Sequence, residues 1–253
     1  MSTIADNLQA VRRRISEALQ GDTRTVTLVA VSKSKPAEKL REAHAAGCRD
    51  FGESYVQEAL PKLASLADLD ATWHFIGHLQ GNKARDVARV FDWVHGVDRA
   101  RLAQALARGL PPERPDLNVC IQVNISGEAT KGGVAPGAAL ALAREVSAIP
   151  RLRLRGLMGM AAPTDDLTGQ RRDFARLRAA REEIVAAGIP LDTLSMGMSD
   201  DFEAAIAEGS TMVRIGTAVF GARVTPAKAG AQSSDPGPGS PNAGVHLTRR
   251  DKA

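Results

Sequence analysis

Eight short runs rich in valine, isoleucine, threonine or aromatic residues, each leading into a stretch with helical spacing, fill residues 25–216. The runs read as strands over 25–33, 49–53, 72–77, 91–95, 117–124, 152–160, 191–195 and 211–216. Helices are predicted over 36–46, 54–66, 82–90, 98–108, 136–148, 167–187 and 200–208. Pro61 inside the second of these implies a kink. A further helix precedes the first strand, because Ile4, Leu8, Val11, Ile15 and Leu19 fall on one face. Strands alternating with helices make a parallel sheet, and eight regular units favour closure into a single (β/α)8 TIM barrel over an open doubly wound sheet. No G-x-G-x-x-G follows the first strand and no G-x-x-x-x-G-K-[ST] occurs, so neither nucleotide fingerprint supports the open alternative.

From Ala222 onward the periodicity stops. The stretch Ser233-Ser234-Asp235-Pro236-Gly237-Pro238-Gly239-Ser240-Pro241 holds breakers and no apolar pattern, so 222–253 is expected to be a disordered tail after one domain over 1–221. Charge divides at the same place. Five Lys/Arg against two Asp give the tail +3 of the chain's net +4, leaving the body 28 basic and 27 acidic residues. A near-neutral body carries no nucleic-acid footprint. No run approaches the roughly twenty apolar residues of a membrane helix, and Met1-Ser2-Thr3-Ile4-Ala5-Asp6 lacks a signal layout. Cys48 and Cys120 lie far apart without metal-ligand spacing. A cytoplasmic protein with free thiols is the expectation.

The first strand, Thr25-Val26-Thr27-Leu28-Val29-Ala30-Val31-Ser32-Lys33-Ser34-Lys35-Pro36, must end near its proline, which places Lys33 at its carboxyl end. Two readings compete there. A poorly hydrated amine is available as a nucleophile toward an aldehyde, whereas a snorkelling lysine keeps its head in water. In a barrel the carboxyl ends of the strands gather the functional loops. After the seventh strand, Met196-Gly197-Met198-Ser199 leads into a helix whose amides, with the Ser199 hydroxyl, suit an anion, unless Ser199 only caps that helix. Asp200 and Asp201 would oppose an anion, so their carboxylates are expected to point away. After the eighth strand, Gly216-Thr217 offers a second turn with open N–H groups. Arg214, alternating with Val213 and Ile215, should face the interior near the mouth, where a ring nitrogen or a carboxylate would serve as its acceptor. A lysine, an anion cradle and an arginine between them match the needs of pyridoxal phosphate. A Schiff-base aldolase on the same barrel is the rival for a lone lysine.

Ala30-Val31-Ser32-Lys33-Ser34-Lys35-Pro36, Phe51-Gly52-Glu53-Ser54-Tyr55-Val56-Gln57-Glu58, Trp73-His74-Phe75-Ile76-Gly77-His78-Leu79-Gln80-Gly81-Asn82-Lys83, Gly156-Leu157-Met158 and Ser195-Met196-Gly197-Met198-Ser199-Asp200-Asp201-Phe202 through Arg214-Ile215-Gly216-Thr217 resemble the pyridoxal phosphate homeostasis protein (YggS-like) family, in order, over about residues 4–221. The resemblance implies the alanine-racemase-type barrel with Lys33 as the aldimine lysine. It further implies that Ser199, Gly216 and Thr217 hold phosphate, that Arg214 faces the pyridine nitrogen, and that Met158 belongs to the cofactor site. Where the family usually shows Gly-Glu-Asn-Tyr this chain has Gly52-Glu53-Ser54-Tyr55, so Ser54, with its shorter reach, stands in the asparagine's place. His78 is read as a loop residue. Related racemases and decarboxylases add a β-domain after the barrel, and the one tyrosine here is Tyr55. The expectation is therefore a monomeric carrier of pyridoxal 5′-phosphate, with little or no turnover and with apo-enzymes as candidate recipients. The alternative is an amino-acid racemase or another enzyme using the same cofactor.

Overall fold

A computed structural model describes residues 2–128 and 130–221, and the expected tail at 222–253 lies outside the described residues. The eight strands are β1 (Thr27–Val31), β2 (Asp50–Glu53), β3 (Thr72–Phe75), β4 (Trp93–Val97), β5 (Leu117–Gln122), β6 (Leu152–Met158), β7 (Thr193–Ser195) and β8 (Met212–Ile215). They pair in sequence order, all parallel, and β1 pairs with β8 to close the barrel. The helices are α1 (Ile4–Leu19), α2 (Ala37–Ala45), α3 (Val56–Ser65), α4 (Ala84–Val90), α5 (Ala100–Gly109), α6 (Ala139–Ser147), α7 (Leu167–Ala186), α8 (Phe202–Ala207) and α9 (Thr217–Phe220).

Local chemistry starts several of these helices. Thr3 and Asp6 form a reciprocal capping box at α1, whose buried face is Ile4, Leu8, Val11 and Ile15. The Asp166 carboxylate accepts from Thr168 N and Gly169 N at the start of α7. Pro36 caps α2 from outside, so that helix begins one residue later than the periodicity suggests. α3 continues past Pro61, which removes one amide donor without ending the helix. β6 and β7 are shorter than the apolar runs that announce them. No helix among the described residues is long and apolar enough to cross a membrane.

Strand alternation divides the apolar residues into two cores. Phe51, Phe75, Phe91, Phe174 and Phe202, all fully buried, belong to the layer between sheet and helices. Val29, Trp93, Cys120, Met158 and Met212 form a smaller cluster inside the barrel. Both thiols are buried and free, and burial pushes Cys48 up to about 11 and Cys120 up to about 12.

Gly156 sets the β6–β7 contact. A Cβ built there would lie 1.8 Å from Thr193 O. Gly156→Ala should cost at least ~3 kcal/mol, a drop in Tm of roughly 6–12 °C in thermal unfolding. A melting curve matching that of the unsubstituted protein would refute this account of the contact.

Candidate functional site

Closure of the barrel places the turn after β1 beside the loop after β8. A Cβ built on Gly216 would lie 3.4 Å from Val31 O, at the end of β1. Lys33 is half-buried in the first turn. Ser34, the next residue, has φ +60°, a left-handed conformation unusual for a side-chain-bearing residue. Lys35 donates to Phe220 O at 3.3 Å and Gly221 O at 3.1 Å, the carboxyl end of α9.

Both neighbours of Lys33 are anchored in one buried cluster. The Ser32 hydroxyl donates to Glu53 Oε1 at 2.7 Å, and Ser34 N donates to Glu58 Oε1 at 2.5 Å. Lys62 Nζ lies between the two carboxylates, 2.8 Å from each, and also donates to Ser32 O at 3.0 Å. Glu53 is wholly buried, and its Oε2 has no partner among the described residues. Lys62 could have been found in the sequence, because Ala59, Leu63 and Leu66 place it on the apolar side of its helix.

Across the mouth, the turn after β7 is tightly built. Met198 O accepts from Asp201 N and Phe202 N, so α8 begins two residues later than its sequence pattern suggests. Gly197 has φ +98°, and a Cβ there would lie 2.8 Å from Ala205 Cβ and 2.9 Å from Phe202 Cα, so only glycine fits. The amides of Ser199, Asp200, Gly216 and Thr217 have no acceptor among the described residues. Ser199 Oγ accepts from Ala218 N at a long 3.4 Å, which ties the two turns together. Ser199 does not cap α8.

Asp201 corrects an expectation. Its carboxylate does not point away: Oδ1 folds back to accept from Met198 N at 2.5 Å, removing that amide from the cradle. Burial raises the Asp201 carboxyl, opposed first by that hydrogen bond and then by the charge of Arg214.

Arg214 faces the interior, as its alternation indicates, and is almost fully buried. Nη1 donates to Ser195 O at 2.6 Å and Ser195 Oγ at 2.7 Å, and Nη2 donates to Gly159 O at 3.1 Å. Burial lowers Arg214 to about 10, a value at which it stays charged at neutral pH. Behind it, His95 Nδ1 lies 2.8 Å from Ser195 Oγ, His95 Nε2 lies 3.0 Å from His74 Nδ1, and His74 Nε2 lies 3.0 Å from Asp50 Oδ1. This row was not singled out in the sequence. Its signal is alternation, since Trp73-His74-Phe75 and Val94-His95 place each imidazole opposite to core residues.

Two other expected residues sit at different depths. Met158 lies below the mouth in the interior cluster, paired in register with Ser195. Ser54 is half-buried in the turn after β2. Its carbonyl backs so closely onto Gly77 that a Cβ there would lie 2.1 Å from it. Its hydroxyl makes no hydrogen bond among the described residues. His78 is an exposed loop residue.

Burial also holds the Glu53 carboxyl above the usual range, and hydrogen bonds from Lys62 and Ser32 oppose the shift. A raised folded-state value means that stability from this group is present at low pH and lost as pH rises through it. Lys62→Met removes the main opposing cause and strands a buried carboxylate, so it should destabilise by ~3–5 kcal/mol at neutral pH. The deficit should be smaller at pH 5 than at pH 8 when urea unfolding is compared. Equal deficits would show that Lys62 does not offset the charge of Glu53.

The chain matches the family described as alanine racemase, N-terminal domain, over residues 1–224. It is 58% identical over 226 residues to a pyridoxal phosphate homeostasis protein of Pseudomonas aeruginosa, covering 88% of this chain and 97% of that one. The protein of the same name in Escherichia coli is 51% identical over 235 residues, covering 88% and 98%. The structure of PipY from Synechococcus elongatus with PLP bound superposes with a TM-score of 0.76 at 38% identity, covering 87% of this chain and all of that one.

Proposed function

This chain belongs to the alanine racemase N-terminal-domain family, among its pyridoxal phosphate homeostasis proteins, and on that premise we propose that it binds pyridoxal 5′-phosphate at the barrel mouth and serves in the homeostasis of that cofactor. The observation that carries this reading is the adjacency, through the β1–β8 pairing, of the Lys33 turn and a pair of turns with open amides.

The residues present suit the group. Ser199, Gly216 and Thr217 offer N–H donors to a phosphate, with the Ser199 hydroxyl beside them. Arg214 is almost fully buried, faces the interior and can only donate, which suits an acceptor such as a ring nitrogen. When bound, the cofactor supplies an aldehyde that condenses with a primary amine, and Lys33 is the amine assigned to it. The Glu53–Lys62–Glu58 cluster fixes the backbone on either side of Lys33. Met158, in the interior cluster below the mouth, would contribute to the floor of the site, and Ser54 lies in the turn after β2.

Arg214 favours holding the cofactor over turnover. A guanidinium that stays charged donates to a ring nitrogen without giving up its proton, and an unprotonated ring withdraws electrons weakly. Tyr55, the only tyrosine of the chain, is 55% exposed, and its hydroxyl makes no hydrogen bond among the described residues. In this role the protein is a cytoplasmic monomer whose recipients are apo-enzymes that use the cofactor.

Incubation with pyridoxal phosphate should produce a visible absorption band that borohydride fixes as a covalent adduct on the peptide carrying Lys33. Lys33→Ala should abolish the adduct. Its persistence, or its appearance on Lys35, would overturn the assignment. Ser199→Ala should weaken binding by about tenfold, the loss expected for one donor to an anion. Robust turnover of D- or L-amino acids would instead support the racemase alternative.

A further inference from the structure

The row behind Arg214 has a direction that chemistry alone determines. A guanidinium can only donate. Ser195 Oγ therefore accepts from Arg214 Nη1 at 2.7 Å, and its own hydrogen is available to His95 Nδ1 at 2.8 Å. His95 must then carry its proton on Nε2, which donates to His74 Nδ1 at 3.0 Å. His74 in turn carries its proton on Nε2 and donates to Asp50 Oδ1 at 3.0 Å. The opposite sense fails with neutral imidazoles. It would leave the bare lone pair of His74 Nε2 against the Asp50 oxygen and give the Ser195 hydrogen no acceptor among the described residues.

We propose that Ser195, His95, His74 and Asp50 are positioning residues for Arg214, a one-way hydrogen-bond relay running from the mouth of the barrel to a carboxylate at its other end. The proposal rests on the reading that Arg214 faces the cofactor ring. Both imidazoles are fully buried, and His74 stacks on Trp93 with ring centroids 5.5 Å apart. His95 is held well below its ordinary value, first by burial and also by the nearby charge of Arg214, which keeps it neutral. Other charged or titratable groups near the row are Asp201 and Cys120 beside Arg214, Arg155, whose guanidinium lies 4.9 Å from the Trp93 ring centroid, and Cys48, whose thiol donates to Asp50 O at 3.5 Å. Asp50, at the first position of β2, lines a cavity of about 510 Å³ between α1 and the amino ends of β1 and β2. The charge at the mouth is thus linked through three side chains, Ser195, His95 and His74, to the carboxylate of Asp50 at the opposite end. Bonds in such a row polarise one another, and each fixes the orientation of the next. The guanidinium is held rigid before any ring nitrogen arrives.

Nitrogen-15 NMR of the full chain without cofactor tests the relay directly. His74 and His95 should both be neutral at pH 7, with the proton on Nε2. A proton on Nδ1 of either ring, or a doubly protonated ring, would overturn the proposal. His95→Leu interrupts the row and should weaken pyridoxal phosphate binding by about tenfold, with a shifted visible band. His95→Gln can accept from Ser195 and donate to His74, so it should stay within about twofold of the unsubstituted protein. An unchanged His95→Leu spectrum and affinity would overturn the relay, and if that variant does not fold the imidazole protonation states decide alone. Arg214→Met separates the two levels. If it leaves the bound spectrum unaltered, the placement of Arg214 at the ring is wrong and the proposal falls with it. If it shifts the spectrum while His95→Leu does not, only the relay fails.

Discussion

Four residue pairs, Thr27–Ala30 against Met212–Ile215, close the sheet on itself. Parallel strands force every connection to cross back over the sheet, so all eight carboxyl ends face one way. Pairing of the first strand with the last then makes neighbours of residues separated by almost the whole chain. The Lys33 turn and the Gly216 turn meet for that reason, and Arg214 lies one strand away from Val29, its register partner. Without closure the same loops would sit at opposite edges of an open sheet.

The barrel interior is divided between apolar and polar side chains. Val29, Trp93, Cys120, Met158 and Met212 fill it as a packed core would be filled. His74, His95, Ser195 and Arg214 are as deeply buried, and such groups are costly unless every donor meets an acceptor. They meet one another in a line, the arrangement that satisfies the most groups with the fewest atoms. The Glu53–Lys62–Glu58 cluster solves the same problem under the Lys33 turn less completely, leaving Glu53 Oε2 without a partner among the described residues.

Much of this was legible from spacing. The eight strands, their order, the inward aim of Arg214 and the paired turns after β7 and β8 follow from alternation and from glycine placement. These features are local, and each is decided within a few residues. What escaped is tertiary. The fold-back of Asp201 onto Met198 N depends on a turn whose geometry is set by the close packing of Gly197 on Phe202 and Ala205. The histidine row, Arg214 included, draws its members from five strands, so no single stretch displays it. Lys62 lies on the apolar side of its helix, but the buried carboxylate of Glu53 that pairs with it arrives from another element. Strand ends were overestimated wherever an apolar run continued into a loop that packs against the core, as at Met160 beyond β6 and Leu191 before β7.

Lys35 ties the exit of the chain from the barrel to the turn of Lys33. Its ammonium rests on the last two carbonyls before residue 222, and along the chain it lies two positions from Lys33. The backbone between them includes the left-handed Ser34, which has little freedom to absorb a displacement. Force applied to the chain at Gly221 is therefore transmitted to the mouth through one side chain and two peptide units, a short lever with a stiff hinge.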